Sequence, residues 1–307
     1  MSSKYLITVT GPTAIGKTSW GIILAQHFNT EILSADSRQF FKEMSVGTAV
    51  PSQRELDQVP HHFVQHTSIF NTYSVGDYER DAMAVLTRLF RDTNVLVLVG
   101  GSGLYVDAVT KGLDRFPKID PSVREALTRL LQSEGIESLQ GLLAQKDPQY
   151  AERVDMKNPH RIIRALEVSI GAKKPYSTFL NQKKAKRPFS VLSLGLHADR
   201  NIIYKRIEDR VDHMMGNGLL EEARELYGHR NLNALQTVGY RELFRHFDGE
   251  WTLDFAISEI KKNTRRFAKR QHTWFTKNQD TVWFDYNSPK EEVLSILQKK
   301  LNQDQES

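Results

Sequence analysis

Residues Gly11 to Thr18 read GPTAIGKT, between a short apolar run, Tyr5 to Thr10, and the helical apolar spacing of Ser19 to Phe28. A G-x-x-x-x-G-K-[ST] segment in that strand, loop, helix setting is a phosphate-binding loop. It narrows the chain to α/β folds that carry such a loop at the C-terminal end of a parallel strand. The glycines let backbone N–H groups face a polyphosphate without a Cβ in the way, Lys17 adds a point charge, and the Thr18 hydroxyl suits a magnesium ion. Gly11, Pro12, Thr13, Ala14, Ile15, Gly16, Lys17 and Thr18 are therefore the candidate site for a di- or triphosphate. A Gly-rich turn that binds nothing is the weaker alternative, because motif and flanking elements agree.

Further strands are predicted at Glu31 to Ala35 and at Asn94 to Val99, the latter continuously apolar as in a sheet covered on both faces. Tyr78, Ala82, Val85, Leu86 and Leu89 mark an amphipathic helix between them. The order β, α, β, α, β predicts a doubly wound domain. From Arg115 the character changes: Pro117 and Pro121 punctuate the chain, strand-like runs vanish until Ser190, and a helix is predicted from Pro159 to Ile170. Lys183, Lys184, Lys186 and Arg187 then form a basic linker before Pro188, and a strand returns at Val191 to Leu196. The fold class is thus α/β, a P-loop NTPase-like parallel sheet over residues 1–114 and 190–307, with a helical insertion over 115–189. A long helix from Arg200 to Tyr227, broken near Gly216 and Gly218, a helix from Leu253 to Lys277 and a last strand at Thr281 to Phe284 complete it. The tail after Leu301 is expected to fray.

In a phosphoryl-transfer enzyme a later strand usually ends in a carboxylate that holds the magnesium. Here the third strand runs into Val99, Gly100 and Gly101, followed by Ser102 and Tyr105 in GGSGLY. The carboxylate in a comparable place is Asp36, in DSRQ at the tip of the second strand. It reads as a magnesium ligand, as a general base, or as a helix N-cap alone. Ser102 offers a hydroxyl, or only turn chemistry. Strand tips of this fold gather ligands, so Asp36, Ser102 and the phosphate loop should converge.

The charge is unevenly spread, which bears on partners. The net charge of +5 conceals +7 over residues 115–190 and +6 over 258–278, in an otherwise slightly acidic chain. On a helical wheel Ile257, Ile260, Thr264, Phe267, Gln271 and Trp274 form one stripe, while Lys262, Arg265, Arg266, Lys269 and Arg270 lie opposite. With Glu259 the single acidic residue in that block, the face is expected to meet nucleic-acid phosphates. A composition of 39% hydrophobic and 26% charged residues excludes disorder as the main state. The apolar run at Val95 to Val99 is too short to cross a bilayer, so no membrane partner is expected. No cysteine is present, which excludes disulfides, thiolate metal sites and a cysteine nucleophile and makes the cytoplasm the expected compartment. His61, His62 and His66 could suggest a metal cluster, but without cysteines or a carboxylate pattern packing or hydrogen bonding is preferred.

The ordered set GPTAIGKT, DSRQ, VGTAVP, PHHF, GGSGLY, NPHRIIRALEV and TVGYRE closely resembles the bacterial tRNA dimethylallyltransferases, from Thr10 to about Phe284. That resemblance implies that the loop holds dimethylallyl diphosphate, with magnesium assisting, and that the group is transferred to the adenosine 3′ to the anticodon. It implies diphosphate contacts from Thr13 to Thr18 and from Arg210, with Arg206 one helical turn away as an alternative. Asp36, Ser37, Arg38 and Gln39 would meet the target adenosine, flipped out of its stack, with Asp36 as general base and Ser102 beside it. Arg124, His160, Arg161, Ile162, Ile163, Arg164, Arg241, Arg265, Lys269 and Arg270 would touch the anticodon stem-loop. Two positions depart from the family pattern: Ser102 stands where threonine is usual, and His160 where glutamine is common. The protein is expected to act as a monomer.

Three other functions share some of these features. An adenylate isopentenyltransferase would use free AMP, ADP or ATP and have little need of a +7 insertion. A small-molecule kinase would transfer a γ-phosphate. A non-catalytic RNA-binding protein would be indifferent to loss of Asp36.

Overall fold

A computed structural model describes residues 3–181 and 186–306, with side chains through 302. It divides into two compact units, Met1–Lys111 with Arg187–Ser307, and Gly112–Lys186. Both boundaries fall slightly earlier than the prolines and strands suggest. Phe116 stacks on Tyr176 within the insertion. Arg187, in turn, pairs with Glu79 and the Ala108 carbonyl in the larger unit. Lys183 and Lys184 of the basic linker lie outside the described residues.

The larger unit begins with β1 (Tyr5–Thr10), α1 (Lys17–His27), β2 (Ile32–Ser34), α2 (Gln53–Leu56), β3 (His61–His62), α3 (Val75–Leu89), β4 (Val95–Val99) and α4 (Gly103–Thr110). The insertion supplies α5 (Pro121–Glu134), α6 (Ile136–Lys146), α7 (Pro148–Ala151) and α8 (Pro159–Gly171). The chain then returns through β5 (Ser190–His197), α9 (Arg200–Gly216), α10 (Leu219–Leu226), α11 (Tyr240–Phe247), α12 (Leu253–Phe275), β6 (Val282–Asp285) and α13 (Lys290–Glu306). The six strands are all parallel, in the order β3-β2-β4-β1-β5-β6.

Alternation in the central strands explains their unbroken apolar character. Ile7, Val9, Val97 and Leu194 face one core with Leu24 of α1 and Leu297 of α13. Leu6, Leu33, Leu96 and Leu98 face the other, with Tyr78 and Leu86 of α3 and Phe275 of α12. Each such side chain contributes about 1.5–3 kcal/mol on burial. The predicted break in the long helix falls between α9 and α10, where Gly218 takes φ +93°. At the carboxy terminus, Val293, Leu297 and Leu301 repeat every fourth residue and are buried, so α13 is docked as far as Leu301, and its helical backbone runs on to Glu306. The two-residue β3 is too short to leave a periodic signal. In the insertion, α5, α6 and α8 close over Leu127, Leu139, Leu143, Ile162 and Leu166. Among the described residues no helix is long and apolar enough to cross a membrane.

Candidate active site

Sheet register brings three strand ends to one level. Val9 of β1 and Ser34 of β2 both pair with Val99 of β4, so the phosphate loop, Asp36 and the Gly100 to Ser102 turn leave the sheet side by side. This is the expected convergence, and it follows from β4 lying between β1 and β2.

The loop is held from several directions. Gly16, at φ +106°, precedes α1 without any side-chain cap, which leaves the first-turn amides of the helix for a ligand. Ala14 occupies the left-handed region at φ +65°, a strained conformation for a residue with a Cβ. Arg206 Nε secures it by donating to the Ala14 carbonyl at 2.7 Å. Arg210 Nη1 donates to Thr13 Oγ1 at 3.2 Å, and Lys17 Nζ to the Pro12 carbonyl at 2.9 Å. Both arginines therefore reach the loop, Arg206 through the Ala14 carbonyl and Arg210 through the Thr13 hydroxyl.

Burial sets the ionisation of this group. It lowers the Lys17 pKa to about 8, opposed by the Asp36 carboxylate and reinforced by Arg210. Burial raises that of Asp36, and the opposing pull of Lys17 is the smaller effect. Asp36 is thus a better proton acceptor than a solvated aspartate. No helix follows it directly, since Ser37 to Phe40 form a turn, so capping does not account for it. The Ser102 hydroxyl accepts from the Ser37 amide at 3.0 Å and lies 3.1 Å from Ser37 Oγ, tying the two turns together.

Two cavities meet here. The first, about 680 Å³, is lined by Gly16, Lys17, Thr18, Val50, Leu56 and Arg206, combining phosphate-binding groups with an apolar wall. The second, about 530 Å³, is lined by Ser37, Arg38, Ser102, Tyr105, Arg241 and Arg270. Thr13, Asp36, Thr48, Ala49, Arg210 and Met214 line both. The wall at residues 45–47 is anchored by Glu222, whose carboxylate accepts the backbone N–H groups of Ser45, Val46 and Gly47 at 2.8, 2.8 and 2.9 Å, together with the Tyr240 hydroxyl.

Several predicted nucleic-acid contacts are placed otherwise. Arg38 Nη1 donates to the Asn233 and Ala234 carbonyls, and Gln39 Nε2 to those of Thr48 and Ala49, so both brace the walls around Asp36. Ile162 and Ile163 are buried in the insertion core, because they occupy the inward face of α8, and their side chains cannot reach RNA. Arg124 and Arg164 both pair with buried Glu167, at 3.0 and 3.1 Å, and remain only half exposed. His160 and Arg161 stand open on the first turn of α8.

On α12 the predicted stripe is rotated. Ala256, Ile260, Ala268, Gln271 and Phe275 are buried, whereas Phe267 and Trp274 are 38% and 40% exposed and line the second cavity with Leu104, 46% exposed. Helical spacing groups them with buried residues, but they are open to the cavity. Nor is the opposite face free of pairing: Lys262 meets Glu259, and Arg265 meets Glu208 of α9. Lys269 and Arg270 are exposed, with Arg270 5.7 Å from the Phe267 ring centre. The histidines have individual partners: His61 meets the Val59 carbonyl, His62 meets Glu31, and His66 packs against Phe40, Phe63 and Tyr73. Among the described residues no three His, Cys, Asp or Glu side chains are grouped to hold a metal.

Comparison with known proteins gives a consistent picture. The family model described as IPP transferase matches residues 39–278. A tRNA dimethylallyltransferase of Flavobacterium johnsoniae is 56% identical, over 97% of this chain and 98% of its own. One of Christiangramia forsetii is 57% identical, over 98% and 99%. The crystal structure of the full-length tRNA isopentenylpyrophosphate transferase from Bacillus halodurans superposes with a TM-score of 0.73 at 34% identity, covering 98% of each chain. A eukaryotic dimethylallyltransferase acting on tRNA superposes with a TM-score of 0.77 at 25% identity, over 93% of this chain and 75% of that one.

Proposed function

The chain belongs to the IPP transferase family, and from that premise we propose that it transfers the dimethylallyl group of dimethylallyl diphosphate to N6 of the adenosine immediately 3′ to the anticodon of tRNA. The observation that carries this reading is the pair of cavities sharing Thr13, Asp36 and Arg210. One combines phosphate-binding groups with an apolar wall, as a prenyl diphosphate requires. The other is open, hydroxyl-lined and rimmed by exposed aromatics and arginines, as a flipped nucleoside requires.

In the reaction, N6 of adenine attacks the allylic carbon, the bond from that carbon to the diphosphate oxygen breaks, and the N6 proton passes to Asp36. The amine lone pair is delocalised into the ring, so a carboxylate with a raised pKa lowers the barrier by taking that proton as the bond forms. Lys17, Arg210 and the first-turn amides of α1 stabilise charge on the departing diphosphate. The Thr18 hydroxyl, a hard oxygen donor on the wall of the first cavity, would hold a magnesium ion. When bound, it would neutralise charge on the leaving group.

On the RNA side, Ser37, Ser102 and Arg241 line the nucleoside cavity, while Arg161, His160, Lys269 and Arg270 offer cationic or hydrogen-bonding groups to the stem-loop. The cysteine-free composition suits the cytoplasm, and the chain is proposed to act as a monomer. The similar proteins named above act on tRNA, which sets aside a free-adenylate enzyme. The test is incubation with magnesium, dimethylallyl diphosphate and an unmodified anticodon stem-loop, followed by nucleoside digestion. Isopentenyladenosine is expected from the RNA and not from AMP; its absence with folded protein would overturn the proposal.

A further inference from the structure

Gln271 is a buried polar side chain that the chemistry above does not use. It lies on α12, 5% exposed, and both ends of its amide are engaged. Its Oε1 accepts the Thr13 backbone N–H at 2.8 Å, and its Nε2 donates to the Gly101 carbonyl at 2.8 Å. Thr13 belongs to the diphosphate loop, and Gly101 precedes Ser102 in the turn beside Asp36. The approach is so close that a Cβ at position 101 would lie 2.3 Å from Nε2, so a side chain there would push the amide aside. That same Cβ position is 3.6 Å from Asp36 Oδ2, so the amide bridge lies near the proposed base.

We infer that Gln271 is a positioning residue for the transfer, fixing the leaving-group loop against the turn that carries Ser102. The inference rests on the proposed prenyl transfer. The two segments are separated by more than eighty residues and enter from different strands, so their relative placement depends on side chains that span them. A primary amide suits the task because it offers one acceptor and one donor in a fixed plane, whereas a hydroxyl or an apolar side chain cannot bridge an N–H and a carbonyl at that span. Displacing the loop by a fraction of an ångström shifts the diphosphate away from the in-line path of attack, and such misplacement costs rate rather than RNA affinity.

The consequence is specific to protonation. In Gln271→Glu an ionised carboxylate would still accept from Thr13 but would face the Gly101 carbonyl with a lone pair. A protonated one would restore both bonds, donating through O–H and accepting through C=O. Burial raises the pKa of such a group, so restoration falls within an accessible range.

The experiment measures single-turnover dimethylallylation of stem-loop RNA by the wild type, Gln271→Met and Gln271→Glu, with RNA affinity from filter binding. Gln271→Met is expected to lose about tenfold to a hundredfold in rate, with RNA affinity within about twofold. The rate of Gln271→Glu, taken as a ratio to the wild type at each pH, is expected to rise as pH falls from about 8 to about 6. A Gln271→Met rate within about twofold of the wild type, a parallel loss of RNA affinity, or a flat Gln271→Glu ratio each overturns the assignment. If Gln271→Met does not fold, the Gln271→Glu ratio alone decides. An inactive wild type would overturn the proposed transfer itself, and so is separable from these outcomes.

Discussion

Arg210 Nη1 donates to Thr13 Oγ1 across 3.2 Å, and both residues line the two cavities at their junction. On the proposed reaction Arg210 would stand where charge develops on the leaving group, whereas Arg206, bonded to the Ala14 carbonyl, would support the loop. Arg210→Ala is expected to lower kcat by about 10²–10³. Arg206→Ala should mainly raise the KM for dimethylallyl diphosphate. Steady-state kinetics with saturating RNA separates the two.

Asp36→Asn should reduce kcat by roughly 10²–10⁴ while leaving RNA affinity within about twofold. It should also raise the melting temperature at neutral pH. The folded-state pKa of Asp36 is raised by burial, so the stability linked to its protonation is present at low pH and lost as pH rises through the folded value. The asparagine removes that loss, and the two melting curves should converge below about pH 3, where aspartate is protonated in both states.

Burial lowers the Lys17 pKa to about 8. Affinity for inorganic diphosphate should therefore fall as pH rises through about 8. At pH 7, binding should be accompanied by little proton uptake, and at pH 9 by substantial uptake as the ligand restores the charge. Calorimetry in buffers of different ionisation enthalpy measures this directly; uptake independent of pH would contradict it.

Ile163 and Arg161 are two residues apart on α8 and should behave oppositely. Ile163→Ala opens a hole in the insertion core and should cost about 2–5 kcal/mol in urea denaturation. Its effect on RNA binding should not depend on salt. Arg161→Ala should leave stability unchanged and lower the slope of log affinity against log salt by about one.

Trp274→Ala should weaken stem-loop binding by about 1–3 kcal/mol, the scale of one base-stacking contact. Diphosphate affinity should be unaffected. The ring packs over Gly103, where a Cβ would lie 2.3 Å from it, and its Nε1 donates to Asp107 at 3.0 Å, so it is held in place before RNA arrives.

What the sequence discloses of this site depends on how local the chemistry is. The loop from Gly11 to Thr18 and the strand ends bearing Asp36 and Ser102 are legible because each is a short segment whose residue types suffice. Gln271 is not, since its partners Thr13 and Gly101 lie more than a hundred residues away. Phe267 and Trp274 share a helical stripe with buried Ile260 and Gln271 yet are themselves 38% and 40% exposed, and a hydrophobic wheel cannot tell a packed ring from an exposed one. The opposite error affects Ile162 and Ile163, apolar residues inside a basic motif whose side chains turn inward. Arg38 and Gln39 sit in a functional motif but spend their donors on backbone carbonyls, a distinction that only three-dimensional partners reveal.

Glu222 carries a last consequence. By accepting three consecutive amides from Ser45, Val46 and Gly47, it places the protein's own carboxylate in an anion nest of the kind that the Gly11 to Thr18 loop keeps for a ligand. Residues of both segments line the first cavity, one nest filled by Glu222 and the other formed by the loop. On the proposed reaction, a diphosphate would then find one receptive nest, and the Glu222 carboxylate would discourage a second anion from lodging at the other.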